Sequence, residues 1–232
     1  MQRVAVRSPF YVGLALLVTA IAFVGFWPTY FGPLFAGTVD KLPVIHVHAA
    51  VYVGWLAIFI AQAAFAATRR MDLHVKLGNF GIGYGVLVIV MGVTAAISMF
   101  AVRVHAGQVE DAAGRLVAPL SDMVFFTPLF AAAVWLRRRP EIHKRLMIVA
   151  TTVLLVAAVA RMTFLGRPWP FLLVWCAPLL IGAVYDIVRR RAVPWIYLLG
   201  VVVIVARALG ARLVGETAAW HDWTAWLATV VS

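Results

Sequence analysis

Seven stretches of the chain are apolar on every helical face: Phe10–Tyr30, Val44–Ala67, Leu77–Phe100, Leu120–Leu136, Leu146–Met162, Trp169–Val188 and Val193–Leu209. A hydrocarbon layer about 30 Å thick takes roughly 20 such residues per helix, so the pattern predicts seven transmembrane α-helices. A β-barrel would alternate apolar and polar residues every second position, and these runs do not. The polar residues gather in the connections between runs. The fold class expected is therefore an all-α membrane bundle in a single domain over residues 1–232, with its backbone hydrogen bonds satisfied inside each helix.

The short polar segments carry the orientation. Arg69, Arg70 and Lys76, then Arg137 to Arg139 with Lys144 and Arg145, and then Arg189 to Arg191 all fall on the side of Arg3 and Arg7. Basic residues collect on the cytoplasmic face, so this side is expected to be cytoplasmic, with the N-terminus inside and the C-terminus in the periplasm of a bacterial inner membrane. The other side receives the Gly32–Pro43 loop, a long loop over Ala101–Pro119, a short Thr163–Pro168 turn and the tail after Gly210. Trp220, Trp223 and Trp226 in that tail suit an interfacial helix.

Composition sharpens this picture. Of 232 residues, 64% are hydrophobic and 12% charged, half the charge of a soluble domain. The net charge of +11 does not point to nucleic acid, because the Lys and Arg residues sit at the ends of apolar runs, where they fix topology in the bilayer. The single cysteine, Cys176, lies inside an apolar run and excludes an intramolecular disulfide or a Cys-based metal site. No phosphate-binding glycine loop or Ser–His–Asp order is present, and no residue acquires a catalytic role from a motif.

The most informative local feature is a repeat. Arg69-Arg70-Met71-Asp72-Leu73-His74-Val75-Lys76-Leu77 aligns without gaps to Arg138-Arg139-Pro140-Glu141-Ile142-His143-Lys144-Arg145-Leu146. Spans two to five then read as two hairpins of the same polarity. In a sequential four-helix bundle the third and fifth spans lie diagonally, which brings His74 and His143 face to face on the basic side. Two facing imidazoles can ligate one haem iron, with Arg70, Arg139, Lys76 and Arg145 meeting the haem propionates. The alternative is that both turns only set topology, each His capping a helix or touching lipid phosphate.

A second cluster stands at the opposite side. His46 and His48 open the second span and Asp122 and Met123 open the fourth. A divalent metal held by His46, His48 and Asp122 is one reading, and a second haem through a His and Met123 is another. Positions two apart on a helix diverge by about 200°, so both histidines cooperate only if the helix begins after them. A polar helix start is the remaining reading. Asp122, Arg161, Asp186 and Arg207 lie in or near apolar runs, where ionisable groups are costly and face a partner, a cavity or the interface. Asp122 is offered Arg161 or Arg207, and Asp186 is offered Arg189 or Arg190. Gly78, Gly81, Gly83, Gly85 and Gly92 line the third span, and Trp55 and Gln62 share the lower half of the second with no evident partner.

The runs His46-Val47-His48-Ala49, Leu73-His74-Val75-Lys76-Leu77-Gly78 and Arg139-Pro140-Glu141-Ile142-His143-Lys144-Arg145-Leu146-Met147, with Trp55 and Gln62, resemble a group of bacterial multi-pass inner-membrane proteins of no established activity. A weaker, architectural likeness is to the two-haem cytochrome b family of transmembrane ascorbate-dependent ferric reductases. That likeness implies a cytoplasmic-side haem at His74 and His143, and at the outer pair it meets Asp122 and Met123 where a His is expected. The function expected is thus a membrane redox protein binding haem b and exchanging electrons with a quinone or metal ion. The alternatives are a metal-dependent membrane enzyme built on His46, His48 and Asp122, and a small-molecule transporter or sensor.

Overall fold

The computed structural model describes residues 9–166, 168–191 and 193–232, so the expectations placed on Arg3 and Arg7 lie outside the described residues. Among the described residues ten α-helices follow one another: α1 Phe10–Phe26, α2 Gly32–Phe35, α3 Pro43–Ala67, α4 Met71–His105, α5 Val109–Trp135, α6 Pro140–Val153, α7 Val156–Val159, α8 Pro168–Arg190, α9 Trp195–Gly215 and α10 Ala218–Val231. A π-helical turn over Trp27–Phe31 joins α1 to α2, and α6 with α7 forms one interrupted span, so seven helical segments are long and apolar enough to cross a membrane. The chain is a multi-pass membrane protein of all-helical fold.

Local chemistry sets the helix ends. Pro43 and Pro140 occupy the first helical position, where the missing N–H breaks no bond. The helix α4 ends on Gly107, whose φ of 74° lets its N–H reach Val104 and the N–H of Gln108 reach Arg103. The end of α3 has the same form, with Arg70 N–H bonded to Phe65 and Arg69 at φ 61° in the position glycine usually fills. The expected loop over Ala101–Pro119 does not exist as a loop: α4 continues to His105 and α5 starts at Val109. The ion pairs of Asp111 with Arg103 at 3.4 Å and with Arg115 at 2.7 Å tie the two polar helix ends together across a three-residue turn. Polar sequence here marks helix that emerges from the apolar layer.

The helices α3, α4, α5 and α6 are packed in sequence, each against the next, and α4 and α6 stand diagonally. The expected bundle closes by packing its first helix on its last. Here α1 bridges them instead, lying on α3 along one flank and on α6 and α7 along the other. The fifth span becomes the centre of the molecule: 67% of its window is buried, against 17% for the second span. Leu14, Val18, Ile148, Val149, Val153, Trp175, Leu179, Tyr197 and Ile204 form the main core between α1, α6, α8 and α9. Outward-facing Val90, Val184, Ile187, Val202 and Leu209 stay exposed, as a lipid-facing surface requires.

The tail is an ordered helix. Thr217 caps α10 by accepting the Trp220 N–H, Trp220 Nε1–H donates to Ala113 at 3.1 Å, and Leu227 and Ala228 bury against Ala96, Phe100, Ala112 and Leu116. Trp226 remains 59% exposed on its other side.

Candidate functional site

The sequence repeat becomes a structural one, because α4 and α6 begin at Met71 and Pro140 and so place His74 and His143 at the same step of the first turn. Each imidazole is held by a backbone carbonyl of the preceding helix. His74 Nδ1–H donates to Gln62 at 3.2 Å and His143 Nδ1–H to Ala133 at 2.8 Å. A carbonyl can only accept, so both bonds place the proton on Nδ1 and leave the Nε2 lone pair free, which is the metal-ligating tautomer. The ring centroids are 6.4 Å apart with planes at 90°.

Both rings line a cavity of about 1670 Å³ at the basic end of the bundle, larger than the 300–1,000 Å³ of ordinary small-molecule sites. The cavity exists because α1 closes the bundle in place of direct packing between α3 and α6. Its inner wall is aromatic and apolar: Trp55 and Phe130 meet edge to face at 5.4 Å, and Phe126 stacks on Phe130. Gly85 makes this layer possible, since a Cβ there would stand 2.3 Å from the Phe130 ring.

The cations at the cavity differ from those expected. Of the four expected cations Arg145 lines the cavity, while Arg70, Arg139 and Lys76 are exposed and form no part of the wall; Arg69, Arg137, Lys144 and Arg189 also line it. The reason is helical phase. Lys76 follows His74 by two residues, about 200° around the helix, and Arg70 and Arg139 are the residues before the first turn. Arg145 instead turns toward α8 and forms a bidentate pair with Asp186, Nε to Oδ2 at 2.6 Å and Nη2 to Oδ1 at 3.0 Å. Its remaining Nη1 donates to the Glu141 carboxylate at 3.0 Å and to the Glu141 carbonyl. Asp186 is therefore Arg145's partner, 41 positions away, and the expected alternative of Arg190 lies outside the described side chains. Lys144 pairs with Glu141 at 2.7 Å and lies over the Tyr11 ring.

The second cluster does not assemble. The helix α3 begins at Pro43, before both histidines, so they diverge. His46 Nδ1 meets the Tyr30 hydroxyl at 3.0 Å and His48 Nδ1–H donates to Met91 at 3.3 Å. Asp122 accepts from Arg207 at 2.7 Å, and the same guanidinium donates to Ala118 and lies over Trp175. Among the described residues no three His, Cys, Asp or Glu side chains converge to hold a metal ion, so the expected His46, His48 and Asp122 centre is replaced by separate pairings. At the level considered for a second haem, the Tyr52 hydroxyl meets the Met123 sulfur at 3.7 Å. The Tyr52 hydroxyl and Met123 sulfur fill the space beside Gly92, where a Cβ would meet them at 2.6 and 2.5 Å. Arg161, the other candidate partner for Asp122, donates to Ala157 and sits over Phe26.

Comparison with protein-family models, with curated proteins and with solved structures finds no match. The geometry of the His74–His143 cavity is accordingly what carries the functional reading.

Proposed function

We propose that the chain is a redox protein of the bacterial inner membrane that holds one haem b between His74 and His143 and exchanges electrons with a quinone or a metal ion. The observation that supports it is the spacing of the two rings. Twice the ~2 Å metal–imidazole distance, plus roughly 1 Å from each nitrogen to its ring centre, gives about 6 Å between centroids in a bis-imidazole site. The centroids of His74 and His143 stand 6.4 Å apart.

In this reading the residues divide the work. His74 and His143 would hold the haem through their Nε2 atoms, and the carbonyls of Gln62 and Ala133 hold their ring planes and raise their basicity. Arg69, Arg137 and Arg189, guanidiniums on the wall, would take over the propionate role first expected of Arg70, Arg139 and Lys76, which lie off the wall, and of Arg145, which lines the cavity but is engaged by Asp186 and Glu141. Trp55 and Phe130 keep water from the inner side, where a low dielectric strengthens every charge interaction. A haem bound there supplies one-electron transfer. The basic end faces the cytoplasm by the same charge asymmetry that the connections carry.

The test is the visible spectrum of detergent-purified protein. Reduction should produce the sharp α and β bands of a six-coordinate low-spin haem, at about one haem per chain by acid extraction. A colourless protein that takes up no added haem contradicts the proposal.

A further inference from the structure

The cavity is larger than the histidine pair needs, and part of its wall has polar atoms with nothing to bind. Trp55 is 3% exposed, yet its Nε1–H has no hydrogen-bond partner, and the buried Oε1 of Gln62 has none either. Both residues lie on the cavity wall, two turns apart on one side of α3. A buried donor or acceptor left unpaired is costly, and native proteins keep few of them. Two on one wall of one cavity mark a place where a ligand completes the bonding.

The chemistry of the wall limits that ligand. Around Trp55 the lining is Ile58, Phe59, Phe130, Met147 and Ile148, so the group bound here is neutral and apolar over most of its surface. The Trp55 ring is already edge-on to Phe126 and Phe130, which leaves a flat aromatic wall suited to a planar ring. Indole N–H only donates and therefore calls for a carbonyl or ether oxygen, while Gln62 Oε1 calls for a hydroxyl or another donor. A planar ring whose oxygens are carbonyls in one state and hydroxyls in the other satisfies both.

We infer that the inner part of this cavity is a binding site for a lipid-soluble quinone, with its ring against Trp55 and Phe130 and its oxygens addressed by Trp55 Nε1–H and the Gln62 side chain. This chooses between the quinone and metal-ion partners of the redox reading and rests on that reading for its purpose. Its location rests on Trp55 and Gln62 alone. Gln62 also connects the two sites, because its backbone carbonyl is the one that holds His74.

The experiment is equilibrium binding of a radiolabelled decyl-substituted benzoquinone to the full chain in lipid nanodiscs, corrected for partition into empty discs, with decylbenzene as the ring lacking oxygens. The expected result is saturable binding of the quinone and none of decylbenzene. Trp55→Phe keeps the ring and removes only the N–H, and Gln62→Leu leaves the backbone carbonyl in place. Trp55→Phe should weaken quinone binding about fivefold to tenfold, and Gln62→Leu should do the same to binding of the reduced decyl-substituted hydroquinone, whose hydroxyl is the donor Gln62 Oε1 lacks, each the loss of one hydrogen bond. Quinone binding no greater than in empty discs or equal in wild type and Trp55→Phe, or hydroquinone binding equal in wild type and Gln62→Leu, overturns the inference. Haem bands are recorded on the same samples. Saturable binding that Trp55→Phe weakens, in protein without those bands, supports the quinone site while the haem reading fails. Haem bands without quinone binding remove this inference and leave the haem reading standing.

Discussion

The pair of Arg145 and Asp186 ties the fifth span to α8 beside the cavity, and its removal gives a defined energetic signature. Asp186 is 1% exposed and the Arg145 side chain 9%. Truncating Asp186 to Ala leaves a guanidinium buried with two of its donors unpaired. Breaking a buried pair from one side costs about 3–5 kcal/mol, and the surviving bonds from Arg145 to Glu141 hold the expected loss to the lower end, ~3 kcal/mol. Glu141 is 52% exposed, so Glu141→Ala removes a water-screened partner worth ~1 kcal/mol or less. Replacing both members, as Arg145→Met with Asp186→Leu, removes the uncompensated charge and should recover most of the loss. The assay is thermal unfolding in a fixed detergent. At roughly 2–4 °C per kcal/mol for a chain of this size, Asp186→Ala should fall by about 6–12 °C and Glu141→Ala by ~4 °C or less. A double variant no more stable than Asp186→Ala, or equal effects of Asp186→Ala and Glu141→Ala, would refute the argument that burial makes this pair matter.

Other outcomes follow from the same geometry. Asp122→Ala and Arg207→Leu should each destabilise by about 3 kcal/mol and the double variant by less than their sum, measured by the same melting assay, because the two groups compensate each other inside α5 and α9. Three glycines should separate by environment. Gly25→Ala should be the worst, at about 1–3 kcal/mol, since its Cβ would lie 2.2 Å from the Ala158 backbone oxygen. Gly107→Ala should cost about 1 kcal/mol from its φ of 74° alone, and Gly13→Ala, with open space and helical backbone, should be neutral or stabilising. Cytoplasmic-reporter fusions after Arg70, Arg139 or Arg191 should be active, and a fusion after Gly107 or at Ser232 should report the opposite compartment. A C-terminus on the same side as Arg70 would overturn the seven-span orientation.

The span count was legible because an apolar run of the right length has no other solution in a bilayer. The repeat was legible because two polar turns of one pattern entering apolar runs begin helices at the same step, as Met71 and Pro140 do. Side-chain direction was less so. The sequence offers Lys76 two residues after His74 and Arg145 two residues after His143, but only the packed helices tell which of these side chains reach the cavity. The same phase argument separates His46 from His48 once α3 is seen to begin at Pro43. The loop expected over Ala101–Pro119 was misread because polar residues were taken to end a helix, whereas Asp111, Arg103 and Arg115 pair with each other along helices that continue. The pairing of Arg145 with Asp186, 41 positions apart, and the bridging place of α1 left no local signal. Both depend on how spans pack, which an all-round apolar helix does not specify.

The account turns on two imidazoles binding one iron, and their relative orientation makes that testable beyond the presence of colour. The carbonyls of Gln62 and Ala133 fix the His74 and His143 planes at 90° to each other. Perpendicular axial imidazoles leave the iron d orbitals nearly degenerate, whereas parallel ones split them. Electron paramagnetic resonance of the oxidised, purified protein should therefore give the highly anisotropic low-spin signal dominated by one large g value, absent from both His74→Ala and His143→Ala. A three-line rhombic signal, a high-spin signal in the wild type, or a low-spin signal that survives either substitution would contradict the account.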